Sequence, residues 1–108
     1  LDETYYNGMA HLVLMVYHAA RSPMMGGDPA RAAAHYRKLQ AVAGDDFMLA
    51  HVLYARYVWV REGNRQAFDT ALERASRYAA DPDPYPFFNA VAASRARHYL
   101  AAADRLFE

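Results

Sequence analysis

The stretch GGDPARAAAHY, residues 26–36, opens with two glycines at a predicted helix start, where proteins often bind phosphate through free backbone N–H groups. Here Asp28 occupies the N-cap position, so its carboxylate can accept hydrogen bonds from those groups, and Pro29 removes another donor. No GKS or GKT follows, and the preceding segment has a helical rather than a strand pattern. We therefore interpret this stretch as a connector between helices and not as a nucleotide loop.

The five histidines raise the question of a metal site or a general base. His11 and His18 lie seven residues apart on one predicted helix face, which is too far for one ion without a third ligand from elsewhere. No HxxxH or HExxH spacing occurs. We favour histidines at the rim of a helical core, and the alternative is a small enzyme with a titrating group such as His51 beside a carboxylate.

Other residue types that carry chemistry are absent or poorly placed in this sequence. The acidic pairs Asp45 with Asp46 and Asp81 with Asp83 have neither the spacing nor the glycine of a calcium loop. Cysteine is absent, which excludes disulfides, thiolate zinc sites and cysteine nucleophiles, and the few serines lack an elbow or a lysine partner. We predict no catalytic residues, no cofactor and no metal, and hence no enzyme.

Composition limits the classes of partner. The 108 residues contain 12 Lys plus Arg and 12 Asp plus Glu, a balance that argues against nucleic acid or an anionic membrane surface. The longest apolar region, residues 9–20, is interrupted by histidines and is shorter than the ~20 residues that span a bilayer. The sequence begins LDETYY, without an initiator Met or a signal pattern, so we expect a single domain, residues 1–108, from a longer precursor.

Abundant alanine and few β-branched residues predict an all-α chain of about five helices. Asp28 and Asn64, two predicted N-caps, lie 36 residues apart, close to the repeat of about 34 residues in tetratricopeptide (TPR) proteins. The predicted fold is a set of antiparallel helical hairpins in a TPR-like right-handed stack. The predicted helices are residues 2–20, residues 29–44, a third from an Asp45 or Asp46 cap to Glu62 with Gly63 as left-handed terminator, a fourth from Asn64 to the ADPDPYP segment, and a fifth from Pro86 to the chain end.

The first and third predicted helices are apolar nearly all round, whereas the fourth and fifth each have one polar side. In the third, FMLAHVLYARYVWV is interrupted by only His51 and Arg56. A single layer of hairpins in a domain of this size cannot cover both helices. We therefore expect another copy of the chain or another protein to close one surface.

Arg56 is the charged residue that invites a specific interpretation. In an antiparallel hairpin that turns at Gly63, it lies level with Asp69 and Glu73, so we predict an ion pair that stabilises the hairpin. The alternative is an arginine directed at an anionic ligand in an otherwise apolar cavity.

Two loops carry large apolar residues that suit either packing or binding. Met24 and Met25 lie between Pro23 and the glycines, and flexible methionines suit an adaptable contact surface. Tyr85 and Phe87 follow the ADPDPYP segment. Both interpretations stay open here: the loops close the end of the bundle, or they contact a partner or ligand.

Three segments resemble those of a known family. GGDPARAAAHYRKLQAV is similar to a glycine, glycine, aspartate opening before an amphipathic helix, and NAVAASRARHYLAAADRLFE is similar to a terminal helix. Between them, LAHVLYARYVWVREGNRQAFDTALERA carries a Tyr-Ala-Arg-Tyr segment, a polar turn and an Arg-x-x-Phe helix start at Arg65 to Phe68. Their order and spacing resemble the TatT family, the T component of TRAP-type transporter systems, whose members are periplasmic, TPR-like helical-hairpin proteins.

The resemblance implies a non-enzymatic periplasmic accessory protein of a solute transport system, from a family of lipoproteins. Such a protein self-associates, with a trimer favoured, binds the periplasmic solute-binding protein and can hold an apolar ligand. We expect oligomer contacts on the first and third helices, and partner or ligand contacts at Met24, Met25, Arg56, Tyr85 and Phe87. The alternative function is a generic TPR-like scaffold that binds peptides or proteins, which genomic neighbourhood would distinguish.

Overall fold

The computed structural model describes residues 3–108, and every regular element in that range is helical. The predicted all-α class is therefore confirmed. The chain divides into two compact units, Leu1–Asp45 and Asp46–Glu108, each with buried apolar residues of its own. The right-handed stacking of hairpins stays a prediction.

The first unit is a hairpin of two helices, α1 (Glu3–Ala19) and α2 (Pro29–Ala43). Both helices lie where the sequence predicts them, although the predicted start at Asp2 falls outside the described residues. The residues buried between them follow the spacing of one face on each helix. They are Gly8, Leu12, Met15 and Ala19 of α1 with Ala32 and Leu39 of α2.

A 3₁₀ turn (Pro23–Met25) and two glycines join α1 to α2. Gly26 has a φ of +95°, a conformation that side chains rarely adopt. Gly27 is required for a different reason, because a Cβ there would lie 1.9 Å from the Arg21 carbonyl oxygen. Asp28 then caps α2 as predicted, with its carboxylate accepting from the Arg31 N–H at 3.1 Å. The N–H group that a phosphate would need is therefore already used.

The second unit contains four α-helices: α3 (Met48–Tyr54), α4 (Arg65–Ser76), α5 (Pro86–Ala101) and α6 (Ala103–Leu106). The predicted Asn64 cap is confirmed, because its side chain accepts from the Ala67 N–H at 3.0 Å. Gly63 has the predicted left-handed conformation, with a φ of +69°. The predicted fifth helix is interrupted at Ala102, after which α6 forms a separate turn. Their shared core is Met48, Val52, Ala55, Phe68, Leu72, Ala75, Ala92, Ala96 and Ala103.

The predicted cap of α3 by Asp45 or Asp46 is wrong. The N-cap residue is Phe47, the helix begins at Met48, and the Met48 N–H donates to Oδ1 of Asn89 at 2.9 Å. The buried Asn89 amide group also donates to the Asp46 carbonyl at 3.0 Å and to the Asp83 carboxylate at 2.7 Å. One side chain from α5 therefore fixes the start of α3 and the loop before α5.

The third helix also departs from the predicted continuous α-helix. After Tyr54 the chain forms a π-helical segment, Ala55–Trp59. Its wider turn is seen where the Val60 N–H donates to the Ala55 carbonyl, five residues earlier, at 3.2 Å. Such segments change which residues share a face and often occur at functional sites.

Replacing Asn89 tests its role in the second unit. We expect Asn89→Ala to lower the free energy of unfolding by about 3 kcal/mol, because buried groups lose their hydrogen-bond partner. The matched control Asn64→Ala removes an exposed amide cap and should cost about 1 kcal/mol. Urea denaturation measures both, and equal losses would contradict the proposed importance of Asn89.

Candidate functional site

The first unit exposes an apolar patch that we define as Val13, Leu14, Tyr17, Met24 and Met25. The first three lie on the side of α1 that does not carry its buried residues, and the methionines lie on the 3₁₀ turn. Val13, Met24 and Met25 expose 62%, 95% and 73% of their surfaces. Neither methionine therefore packs into the hairpin, and the patch leaves apolar surface exposed.

The sequence predicts apolar excess on the first helix but does not identify its exposed residues. Helical spacing places the buried residues of α1 on one face: Gly8, Leu12, Met15 and Ala19. The same spacing places Val13, Leu14 and Tyr17 on the opposite face, so the sequence contains the pattern that identifies them. On the third segment the expectation of a surplus face is wrong. None of the exposed large apolar side chains of the described chain lies in residues 48–60. Apolar residues of this segment pack in or against the core of the second unit.

The aromatic group at the start of α5 is partly packed and partly exposed. Phe47 is buried, with its ring centroid 4.8 Å from that of Tyr85 and 5.6 Å from that of Phe88. Tyr85 is half-buried in this group, whereas Phe87 contacts the edge of Phe88 and leaves 72% of its surface exposed. Of the two predicted contact residues here, Phe87 presents the larger free surface.

The acidic residues beside these loops are committed to internal hydrogen bonds. Asp83 Oδ1 accepts from the Tyr85 N–H at 2.9 Å as well as from Asn89. Asp28 accepts from the Arg31 N–H and lies 3.4 Å from its side-chain Nε. Both carboxylates stabilise local backbone, so the apolar groups are the better candidates for recognition.

Arg56 lies in the π-helical segment and is half-buried. The predicted ion pair is wrong, because Asp69 pairs with Arg65 and Glu73 with Arg77, each at 3.8 Å. The Arg56 guanidinium instead lies over two rings, with its Cζ 5.4 Å from the centroid of Tyr57 and 5.8 Å from that of Tyr99. These distances fit weak cation–π contacts.

Metal-holding groups and membrane-spanning helices are two further features to consider among the described residues. No group of three or more histidine, aspartate or glutamate side chains among them is arranged to hold a metal ion. None of the helices in residues 3–108 combines the length and the hydropathy that crossing a bilayer requires. The features that remain as candidate functional sites are the apolar patch, Phe87 with its neighbours, and Arg56.

Comparison with known families decides the class of protein. The family model described as TAtT, TRAP transporter T-component, matches residues 1–107. The chain belongs to the TRAP transporter T-component family. No curated protein and no solved structure gives a significant match to it.

Family membership makes the chain an accessory component of TRAP transporters, a periplasm-associated family that is not known for enzymatic activity. The segments that resemble this family have clear structural roles in the T-component. The Tyr-Ala-Arg-Tyr segment, residues 54–57, spans the change from α3 to the π-helical segment. Asn89, which opens the third resembling segment, is the residue that caps α3.

Removal of the guanidinium tests whether Arg56 stabilises the fold. Arg56→Met keeps much of the aliphatic stem. A cation–π contact is worth about 0.5–1 kcal/mol when exposed and about 2 kcal/mol when desolvated, so for the half-buried Arg56 we expect a loss of about 1 kcal/mol in unfolding free energy. The loss should change little with added salt, because no ion pair is removed. A salt-sensitive loss above about 2 kcal/mol in urea denaturation would contradict this assignment.

Proposed function

We propose that this T-component is a non-enzymatic periplasmic accessory protein that self-associates and binds the solute-binding protein of its TRAP transporter. The observation that carries the proposal is the exposed apolar patch on α1 and the 3₁₀ turn. Monomeric proteins seldom leave several large apolar side chains exposed on one short hairpin without a binding role. Family membership supplies the class of partner, since its members are accessory components of TRAP transporters.

Self-association is assigned to the helical part of the patch. Val13, Leu14 and Tyr17 lie within about one turn of α1, so a second copy can cover them with one helix face. A stable interface buries about 800 Å² on each partner, which exceeds what three side chains supply, so neighbouring residues must also contribute. A homo-oligomer of three copies is the stoichiometry that the family resemblance favours.

Charge placed on this helix face should separate the copies. We expect Val13→Glu with Tyr17→Glu to lower the oligomer mass to that of one chain, because two carboxylates would be buried without partners. Size-exclusion chromatography with light scattering gives the mass directly. The control, Gln66→Glu with Thr70→Glu, adds the same charge at the same spacing on the exposed side of α4 and should leave the mass unchanged. A wild-type monomer at micromolar concentrations would refute self-association.

Partner binding is assigned to the ends of the helical hairpins, where Met24, Met25 and Phe87 are exposed. Methionine side chains adapt to irregular apolar surfaces, and aromatic rings supply large contact areas at low entropic cost. Tyr85 supports the position of Phe87 through the shared aromatic group. The methionines of the first unit and Phe87 of the second therefore each suit an apolar contact on the solute-binding protein.

Titration calorimetry against the solute-binding protein encoded beside this gene tests the contact. We expect Met24→Ser with Met25→Ser to weaken binding at least about tenfold, equivalent to about 1.4 kcal/mol, with little change in melting temperature. Arg97→Ser with His98→Ser, an exposed pair on α5, serves as the control and should bind as the wild type does. A fall in melting temperature with unchanged affinity would assign the methionines to stability. No binding by the wild-type chain would reject this partner.

A further inference from the structure

Three of the histidines form a cluster in the first unit that the proposed function does not use. His11 and His18 come from α1 and His35 from α2. The Nδ1 atoms of His11 and His35 lie 3.0 Å apart, and their ring centroids are separated by 5.3 Å. The ring of His18 stacks nearly parallel to that of His35, at 5.8 Å and an interplanar angle of 6°. His35 therefore contacts both histidines of α1.

The contact between His11 and His35 limits how many protons the pair can hold. At 3.0 Å, one Nδ1 must carry a hydrogen and donate it, while the other must be free to accept. When the pair gains a single proton, the hydrogen bond can persist, because Nδ1 of the ring that stays neutral still accepts it. When both rings are protonated, both Nδ1 atoms carry hydrogens, the hydrogen bond is lost and two positive charges face each other.

His18 adds a buried ring nitrogen to the cluster. Its Nδ1 is buried and has no hydrogen-bond partner among the described residues, so an N–H at this atom would be left without an acceptor. The Tyr17 and His18 rings meet edge to face with their centroids 5.2 Å apart. The Arg21 guanidinium lies over the Tyr17 ring, 4.2 Å from its centroid. The ring of His18 therefore contacts aromatic rings of both helices.

The surroundings of His35 add to this effect. Burial lowers the pKa of His35 from its ordinary 6.5, with further lowering by His11, Lys38, His18 and Arg31. The charged neighbours on both helices are thus groups that carry or gain positive charge. Because its pKa is lower in the folded hairpin than in the unfolded chain, His35 contributes stability above about pH 6.5 and loses it as the pH falls below that value.

We propose that His11, His18 and His35 form a pH-sensitive lock that holds α1 against α2 at neutral pH and releases this contact in acid, when the cluster gains a second proton. The lock belongs to the hairpin itself and does not depend on the proposed partner. Loss of this contact would alter the packing of the helix that carries Val13, Leu14 and Tyr17. A fall in pH would thereby affect the apolar patch.

Hydrogen exchange of the full chain, followed by mass spectrometry at about pH 7.5 and about pH 5, tests the lock. After correction for the intrinsic pH dependence of exchange, we expect protection of α1 and α2 to fall several-fold in acid in the wild type. His35→Asn keeps an amide that can hydrogen-bond to His11 but cannot be protonated, so its protection should change little between the two pH values. His98→Asn, which removes an exposed histidine of α5, should behave as the wild type does.

Side-chain NMR titration of the wild type gives a second readout that does not depend on how a variant folds. We expect His35 to take up its proton below the ordinary histidine pKa of 6.5. Titration of His35 at or above pH 6.5 would overturn the lock, as would equal acid loss of protection in His35→Asn and the wild type. Protection at neutral pH that disappears on adding EDTA would show a hairpin held by metal and would also overturn it.

Discussion

The buried amide of Asn89 is the interaction on which the second unit depends. Its oxygen accepts from Met48, and its nitrogen donates to the Asp46 carbonyl and the Asp83 carboxylate. A helix N-terminus needs acceptors for its first N–H groups, and α3 obtains one from a different helix rather than from its own cap residue. The same group therefore sets the start of α3, its position against α5 and the conformation of the loop before α5.

The features that the sequence predicts correctly are those that depend on neighbouring residues. Asp28 and Asn64 cap the helices that follow them, and Gly63 adopts the left-handed conformation, because each requires only the local backbone. The cap of α3 involves residues 41 apart in sequence, and nothing in the local pattern marks Asn89 as its source. Aspartates before a helix normally indicate a cap, so the sequence favoured the wrong partner.

Errors at the candidate site have a similar origin. The predicted partners of Arg56 assume a regular helix, but the π-helical segment changes the rotation of the residues within it and places the guanidinium over Tyr57 and Tyr99. Apolar content alone predicts that the first and third helices each expose an apolar face. Apolar residues of the third instead pack in or against the core of the second unit. Which apolar residues are exposed depends on packing that a single sequence does not specify. The histidine cluster was missed because its third member, His35, comes from another helix.

The backbone of the turn that carries Met24 and Met25 is held at several points. The Ser22 carbonyl accepts from both Met25 and Gly27, while the Asp28 N–H donates to the His18 carbonyl. Two exposed side chains thus project from a main chain whose conformational entropy is lost during folding and not on association with a partner. A partner that engages this turn has to restrict only methionine rotamers, so the geometry of approach is fixed while the shape of the contact remains adjustable.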